Sequence, residues 1–172
     1  MARAYTKITF TPEVMEAQRY WDTSARTAPA LAPGAEPQDA LTAHAAAFVA
    51  EVNTAFIATI NSNGWPYVQH RGGARGFIKL VSARRILIPD HDGNGQLLTA
   101  GNLSTNSKAM LLLMDYSAGR RLKLWGRAKM LETAGMASPE GVSASPRMLV
   151  FDVEAMNFNC SSFIPRLVDE SR

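Results

Sequence analysis

Cysteine is nearly absent: Cys160 is the only one in 172 residues. An intrachain disulfide is therefore excluded, and a reducing compartment is expected. Long apolar runs are missing as well. No stretch reaches the roughly 18 residues that a membrane-spanning helix needs. The opening MARAYTKITF carries neither an apolar h-region nor a cleavage site. A soluble, cytoplasmic protein with no membrane partner is expected. Charge is sparse too, at 19% of residues with a net of +3. That is too little and too dispersed for a nucleic-acid binder, although two or three well-placed cations suffice for a phosphate. The three histidines, His44, His70 and His91, stand in separate contexts and not at ligand spacing, so no metal site is expected.

What is present suits a single domain with a substantial core: 47% hydrophobic residues, including seven Phe and three Trp. Thr11 and Pro12 read as the N-cap and first position of a short helix to about Trp21. Residues 23–37, rich in Pro, Ala and Gly, read as a linker. After Pro37, Leu41, Ala45, Phe48, Val49 and Val52 recur at helical spacing. The grammar then changes. Segment 54–60 has strand composition, and Asn61-Ser62-Asn63-Gly64 is a hairpin turn. Further strands are expected near 65–71, 75–81, 84–89, 109–116, 120–131 and 147–159, with a short helix near 96–105. Along 120–131, Leu122, Leu124, Ala128 and Met130 alternate with Arg121, Lys123, Trp125, Arg127 and Lys129. The gaps between strands are too short for parallel crossovers, so the fold class is α+β, an antiparallel barrel with its helices gathered at the start. Residues 1–37 form a helix and linker packed on the barrel domain, 38–172.

Three segments could carry chemistry. In GWPYVQHRGGARGFIK, Arg71, Arg75 and Lys79 flank Gly72-Gly73, where exposed N–H groups could supplement cations around an anion. A Gly-rich hairpin with solvated arginines fits the same pattern, and the pattern alone does not choose. His70 is a weak candidate for a base. Asp90, Asp92, Asn94, Gln96, Asn102 and Asn106 form a second polar cluster, suited either to pairing with a heterocycle edge or to capping turns. The third is the basic face of 120–131 around Trp125, which could stack on a ring or simply be a solvated sheet face.

Together these segments resemble a known family. GWPYVQHRGG, GFIKL, DGNGQ, GNLSTN, LLLMDY, RRLKLWGRAK and FNCSSFIPR occur in the order seen in the flavin-nucleotide-binding branch of the pyridoxamine 5'-phosphate oxidase-like superfamily. The resemblance covers residues 48–131 and 148–166. It implies a six-stranded Greek-key split barrel, with a short helix after the fourth strand, that forms a homodimer with flavin mononucleotide (FMN) at the subunit interface. Carried over by motif, His70, Arg71, Gly72 and Lys79 would hold the phosphate. Asn94, Gln96, Asn102 and Asn106 would meet the ribityl chain and ring. Arg120, Arg121 and Trp125 would come to the flavin, from either subunit, and Asn159 and Arg166 would close over it.

Two segments depart from the oxidase proper. Asn94-Gly95-Gln96 stands where a Ser-Arg-Lys run is expected, and Cys160 to Arg166 lacks the Arg-Leu substrate pair. The connection 133–146 is short, which leaves no place for one helix. The resemblance therefore implies an FMN oxidoreductase acting on a small molecule or a nicotinamide donor. Pyridoxamine or pyridoxine phosphate oxidation, and non-catalytic FMN storage or sensing, are the alternatives.

Overall fold

The computed structural model describes residues 2–133, 145–159 and 163–167. Four helices open the chain: α1 (Ala4–Thr9), α2 (Pro12–Tyr20), α3 (Ser24–Leu31) and α4 (Ala43–Glu51). Strands β1 (Thr54–Ile60), β2 (Pro66–Gly72), β3 (Lys79–Ser82) and β4 (Arg85–Asp90) follow. Helix α5 (Leu98–Thr105) then precedes β5 (Lys108–Asp115), β6 (Arg120–Glu132) and β7 (Arg147–Asn159).

Local chemistry explains most of these elements. Thr11 Oγ1 accepts from the Val14 amide at 3.4 Å with Pro12 in the first turn, and Thr42 Oγ1 accepts from the Ala45 amide at 3.2 Å. Each hydroxyl satisfies an amide that the helix start would leave orphaned. The expected stripe on α4 is buried throughout: Leu41, Ala45, Phe48, Val49 and Val52. The β1–β2 turn is built by Asn61, whose Oδ1 accepts from the amides of Asn63 at 3.0 Å and Trp65 at 2.9 Å. Gly64 there takes φ 83°, a left-handed backbone that glycine adopts without strain.

All seven strands lie in one antiparallel sheet, in the order β2-β1-β5-β6-β7-β4-β3. Inward residues of β1, β4, β5, β6 and β7 share one core with α4, so the sheet curls round it, and its edge strands β2 and β3 are not paired with each other. The alternation along β6 is as the sequence predicts. Leu122, Leu124 and Ala128 are buried, and Arg127 and Lys129 are exposed.

The structure differs from expectation at four places. Among the described residues seven strands are present, as the residue pattern gives them, where the resemblance implied six. Strand β3 is also shorter than 75–81: Gly76 at φ 77° and a Phe77 amide bond to Ala74 O (3.0 Å) spend residues 74–77 on a turn. Helix α3 occupies the stretch read as linker. Its alanines supply helix propensity, and Pro29 sits near the end of a short helix, where few backbone bonds are lost. Thr27 Oγ1 donates to Gln18 Oε1 at 3.1 Å, tying α3 to α2. Helix α1 is likewise unforeseen. It is pinned by the Arg3 amide to Ala30 O (3.0 Å) and the Ala4 amide to Pro37 O (2.6 Å). Most of the short connection 133–146 lies outside the described residues.

Candidate functional site

Strand alternation decides what β2 offers. Tyr67, Gln69 and Arg71 turn toward the interior, and Val68, His70 and Gly72 face outward. Arg71 is nine-tenths buried, a position that a guanidinium holds only with partners. Its Nη1 pairs with Asp90 at the end of β4, and its Nη2 donates to Gln69 Oε1 at 3.1 Å. The same oxygen accepts from Thr99 Oγ1 of α5 at 2.5 Å. Asp90 takes a second guanidinium: Arg147 Nε donates to Asp90 Oδ2 at 2.8 Å, while Arg147 Nη2 donates to Asp92 Oδ1 at 2.7 Å. Strand register sets this up, since Asp90 lies directly opposite Arg147 in the β4–β7 pair.

These side chains floor a cleft of about 180 Å³, walled by Asn94, Gly95 and Leu97. Leu97 enters α5 at φ 52° and offers no side-chain cap, so the first-turn amides there have no side-chain acceptor. Arg71 Nε is buried without a hydrogen-bond partner among the described residues. An uncapped helix start beside two guanidiniums, one with a free N–H, is an arrangement that attracts an anion. Next to the cleft, and sharing His91 with it, is a hollow of about 340 Å³ under the Gly72–Phe77 loop. A Cβ at Gly72 would come within 2.9 Å of the His70 ring, which would have to turn aside. That ring leans on Phe56 at 5.3 Å on the outward face.

Of the residues singled out in the sequence, the structure gathers Arg71 and Asn94 at this cleft, with His70 and Gly72 on the adjoining outer face. Asn94 Oδ1 accepts from the Gln96 amide at 3.2 Å, and the Gln96 side chain is exposed. Lys79 opens β3, with no carboxylate within 4.0 Å among the described residues.

The others are placed elsewhere. Asn102 Nδ2 donates to Thr59 Oγ1 at 2.9 Å and ties α5 to β1, and Asn106 Oδ1 accepts from the Lys108 amide at 3.1 Å. Arg120 pairs with Asp115 at 2.8 Å and lies over the Phe48 ring at 5.4 Å. Trp125 stacks under Tyr5 of α1 at 6.0 Å. Asn159 ends β7, and its side chain lies outside the description. Arg166 Nε is 4.0 Å from where a Cβ would stand on Gly119, so the C-terminal segment returns to the β5–β6 turn.

Arg121, on the outer face of β6, has a buried Nε without a hydrogen-bond partner among the described residues. Beside it, burial first and the Arg121 charge second push the Lys123 ammonium below its ordinary value. Burial of Asp115 would raise its pKa, but hydrogen bonds from Ser117, the Ala118 amide and Arg120 outweigh it and lower it to about 2. Among the described residues no group of three or more His, Cys, Asp or Glu could hold a metal ion, and no helix is long and apolar enough to cross a membrane.

The sequence profile described as pyridoxamine 5'-phosphate oxidase matches residues 41–159. The chain belongs to the pyridoxamine 5'-phosphate oxidase family. Three solved structures share its fold. HupZ of Group A Streptococcus is 15% identical, with 67% of this chain and 91% of that one covered at a TM-score of 0.51. A candidate pyridoxamine 5'-phosphate oxidase from Lactobacillus delbrueckii is 17% identical over 69% and 94%, at 0.52. A conserved hypothetical protein from Mycobacterium tuberculosis is 15% identical over 79% and 97%, at 0.50. Among curated proteins none is similar enough to match.

The family region begins at Leu41, so α1–α3 lie outside it. Gln69, Thr99 and Arg147 belong to it, and they line the cleft although the sequence reading singled none of them out. Gln69 was findable, because it shares the inward face of β2 with Arg71. Arg147 was not, because nothing local marks the first residue of a strand as the partner of an aspartate 57 positions earlier.

Proposed function

We propose that this member of the family binds FMN, with its phosphate at the Arg71 cleft, and acts as an oxidoreductase on a small molecule. The observation that carries the reading is the buried, unpartnered Arg71 Nε beside the uncapped start of α5. Arg71, Arg147, Lys79 and the α5 amides would hold the phosphate, and Asn94 and Gln96 would meet the ribityl hydroxyls. Phe56 and His70 on the outer face of the sheet would meet the ring, and Arg121 on the outer face of β6 would bring a cation toward it. These groups fit a molecule that is anionic at one end and flat and apolar at the other. Bound FMN would supply the electron chemistry, and the protein would supply orientation and charge. His70, outward and exposed, would be the imidazole to handle a proton.

A homodimer is part of the proposal. Half-buried Phe56, Ala58, Met110 and Leu112, with exposed Val68 and Ile60, make one apolar face across β2, β1 and β5, more than a lone domain ordinarily shows.

Fluorescence titration tests the phosphate assignment. FMN should bind at least about tenfold more tightly than riboflavin. Lys79→Met should weaken FMN and leave riboflavin unchanged. Equal affinities for the two flavins in the parent would refute the assignment. Turnover of the FMN-loaded protein with NADH or NADPH and an acceptor separates an oxidoreductase from a store or sensor. Pyridoxamine phosphate should be a poor substrate, because the Ser-Arg-Lys and Arg-Leu segments are absent.

A further inference from the structure

Helix α1 and the outer face of the sheet enclose a groove of about 520 Å³ that is separate from the Arg71 cleft. Ala58 and Ile60 of β1, Pro66 of β2, Met110 of β5 and Trp125 of β6 form its floor, and Ile8 of α1 forms its roof. The lining is mainly apolar, and the volume is that of a small-molecule site. The roof lies outside the family region, which begins at Leu41. Within this chain, α1 therefore walls a sheet face that residues 41–159 alone would leave open. The wall is tethered: the N-terminal end of α1 is bonded to the α3 segment and to Pro37, and Tyr5 stacks on Trp125 at 6.0 Å.

Charge at the rim is one-sided. Lys7 and Lys108 line the groove, and neither has a carboxylate within 4.0 Å among the described residues. The one carboxylate in the lining, Glu154, is held by Arg127 at 2.8 Å. An apolar trough with two uncommitted ammonium groups at its edge complements a molecule with an apolar body and one anionic end.

We infer that this groove binds an apolar carboxylate, with the body over Trp125 and the carboxylate between Lys7 and Lys108. The site shares none of the Arg71 cleft residues, but its floor takes Ala58, Ile60 and Met110 from the face proposed for the dimer, so a ligand here and a partner subunit compete for that face.

Trp125 reports on it. In a Trp21→Phe, Trp65→Phe background it is the only tryptophan of the full chain, and octanoate should shift its emission saturably. The matching alcohol, 1-octanol, should bind about fivefold more weakly, which is what a solvent-screened charge contact of about 1 kcal/mol confers. Lys7→Met with Lys108→Met should abolish that preference while circular dichroism and FMN binding stay unchanged. Ala58→Phe, which fills the floor, should remove the shift for both probes. Equal affinity for acid and alcohol in the parent would overturn the assignment of the anionic end. Absence of any saturable shift up to ~10 mM would overturn the site, whether α1 closes the groove or a second copy of the chain fills it. A shift that survives Ala58→Phe would mean that octanoate binds elsewhere, and it too would overturn the inference.

Discussion

Asp90→Asn is the most informative single change. The amide keeps the shape of the carboxylate but removes the charge that two arginines share. Arg71, at 9% side-chain exposure, would be left buried beside neutral partners only. Removing one member of a buried pair costs about 3–5 kcal/mol. The loss at Arg147 adds little, because that side chain is 21% exposed and keeps Asp92. For a chain of this length each kcal/mol is worth about 2–4 °C, so Tm should fall by roughly 10 °C. Urea unfolding measures the free energy, with an unchanged slope confirming that both forms unfold the same surface. Asp92→Asn is the control. Its carboxylate is 75% exposed, so the cost should stay below about 1 kcal/mol. Inorganic phosphate should narrow the gap between Asp90→Asn and the parent, because with Asp90 neutral the two guanidiniums hold an anion more tightly than in the parent, and tighter binding stabilises the folded state more. A loss below about 1 kcal/mol for Asp90→Asn, or equal losses for the two variants, would refute the view that Asp90 holds a buried guanidinium in place.

Further predictions concern stability, pH and assembly. Gly126 lies at the β6–β7 bulge, where a Cβ would stand 1.9 Å from the Asp152 carbonyl oxygen. Gly126→Ala should therefore cost about 3 kcal/mol or more, and a near-neutral melting curve would contradict it. Thr42→Ala removes the α4 cap and should cost about 1 kcal/mol in urea unfolding. Asp115 has a folded pKa of about 2 against an ordinary value of 3.8. Its contribution is thus fully present above pH 3.8 and lost as pH falls through about 2, and Asp115→Asn should flatten that part of the stability–pH profile. Light scattering should show a dimer at micromolar concentration, and a monomer that still binds FMN would count against the interface proposed for it.

The sheet was legible because period-two alternation needs no tertiary knowledge. Strand β6 and the α4 stripe emerged from residue order alone. Helices α1 and α3 were not legible, for opposite reasons. Helix α3 carries Pro29 and sits in a Pro/Ala/Gly-rich stretch, a local signal that points to loop. Helix α1 has only six residues, too few for a periodic pattern, and is held by bonds to residues some thirty positions away. The turn that shortens β3 depends on Gly76 adopting φ 77°, and glycine in a strand-like run does not announce that choice.

The candidate cleft divides along the same line. Arg71 stood out because it lies in a dense polar segment beside two glycines. What the sequence could not express is that its charge is already engaged. The Asp90 pairing spans 19 residues, and the Arg147 pairing that completes it depends on the β4–β7 register. A string of basic residues therefore reads as a free cation cluster, whereas the folded chain presents two guanidiniums balanced by Asp90 and Asp92. An anion entering here need not neutralise bare charge. It competes for N–H groups, starting with the unpartnered Arg71 Nε and the open α5 amides. That favours a ligand bringing several acceptor oxygens to one point over one bringing a single carboxylate. A phosphate end meets that demand at the cleft, and a lone carboxylate with an apolar body is better matched to the lysine-rimmed groove under α1.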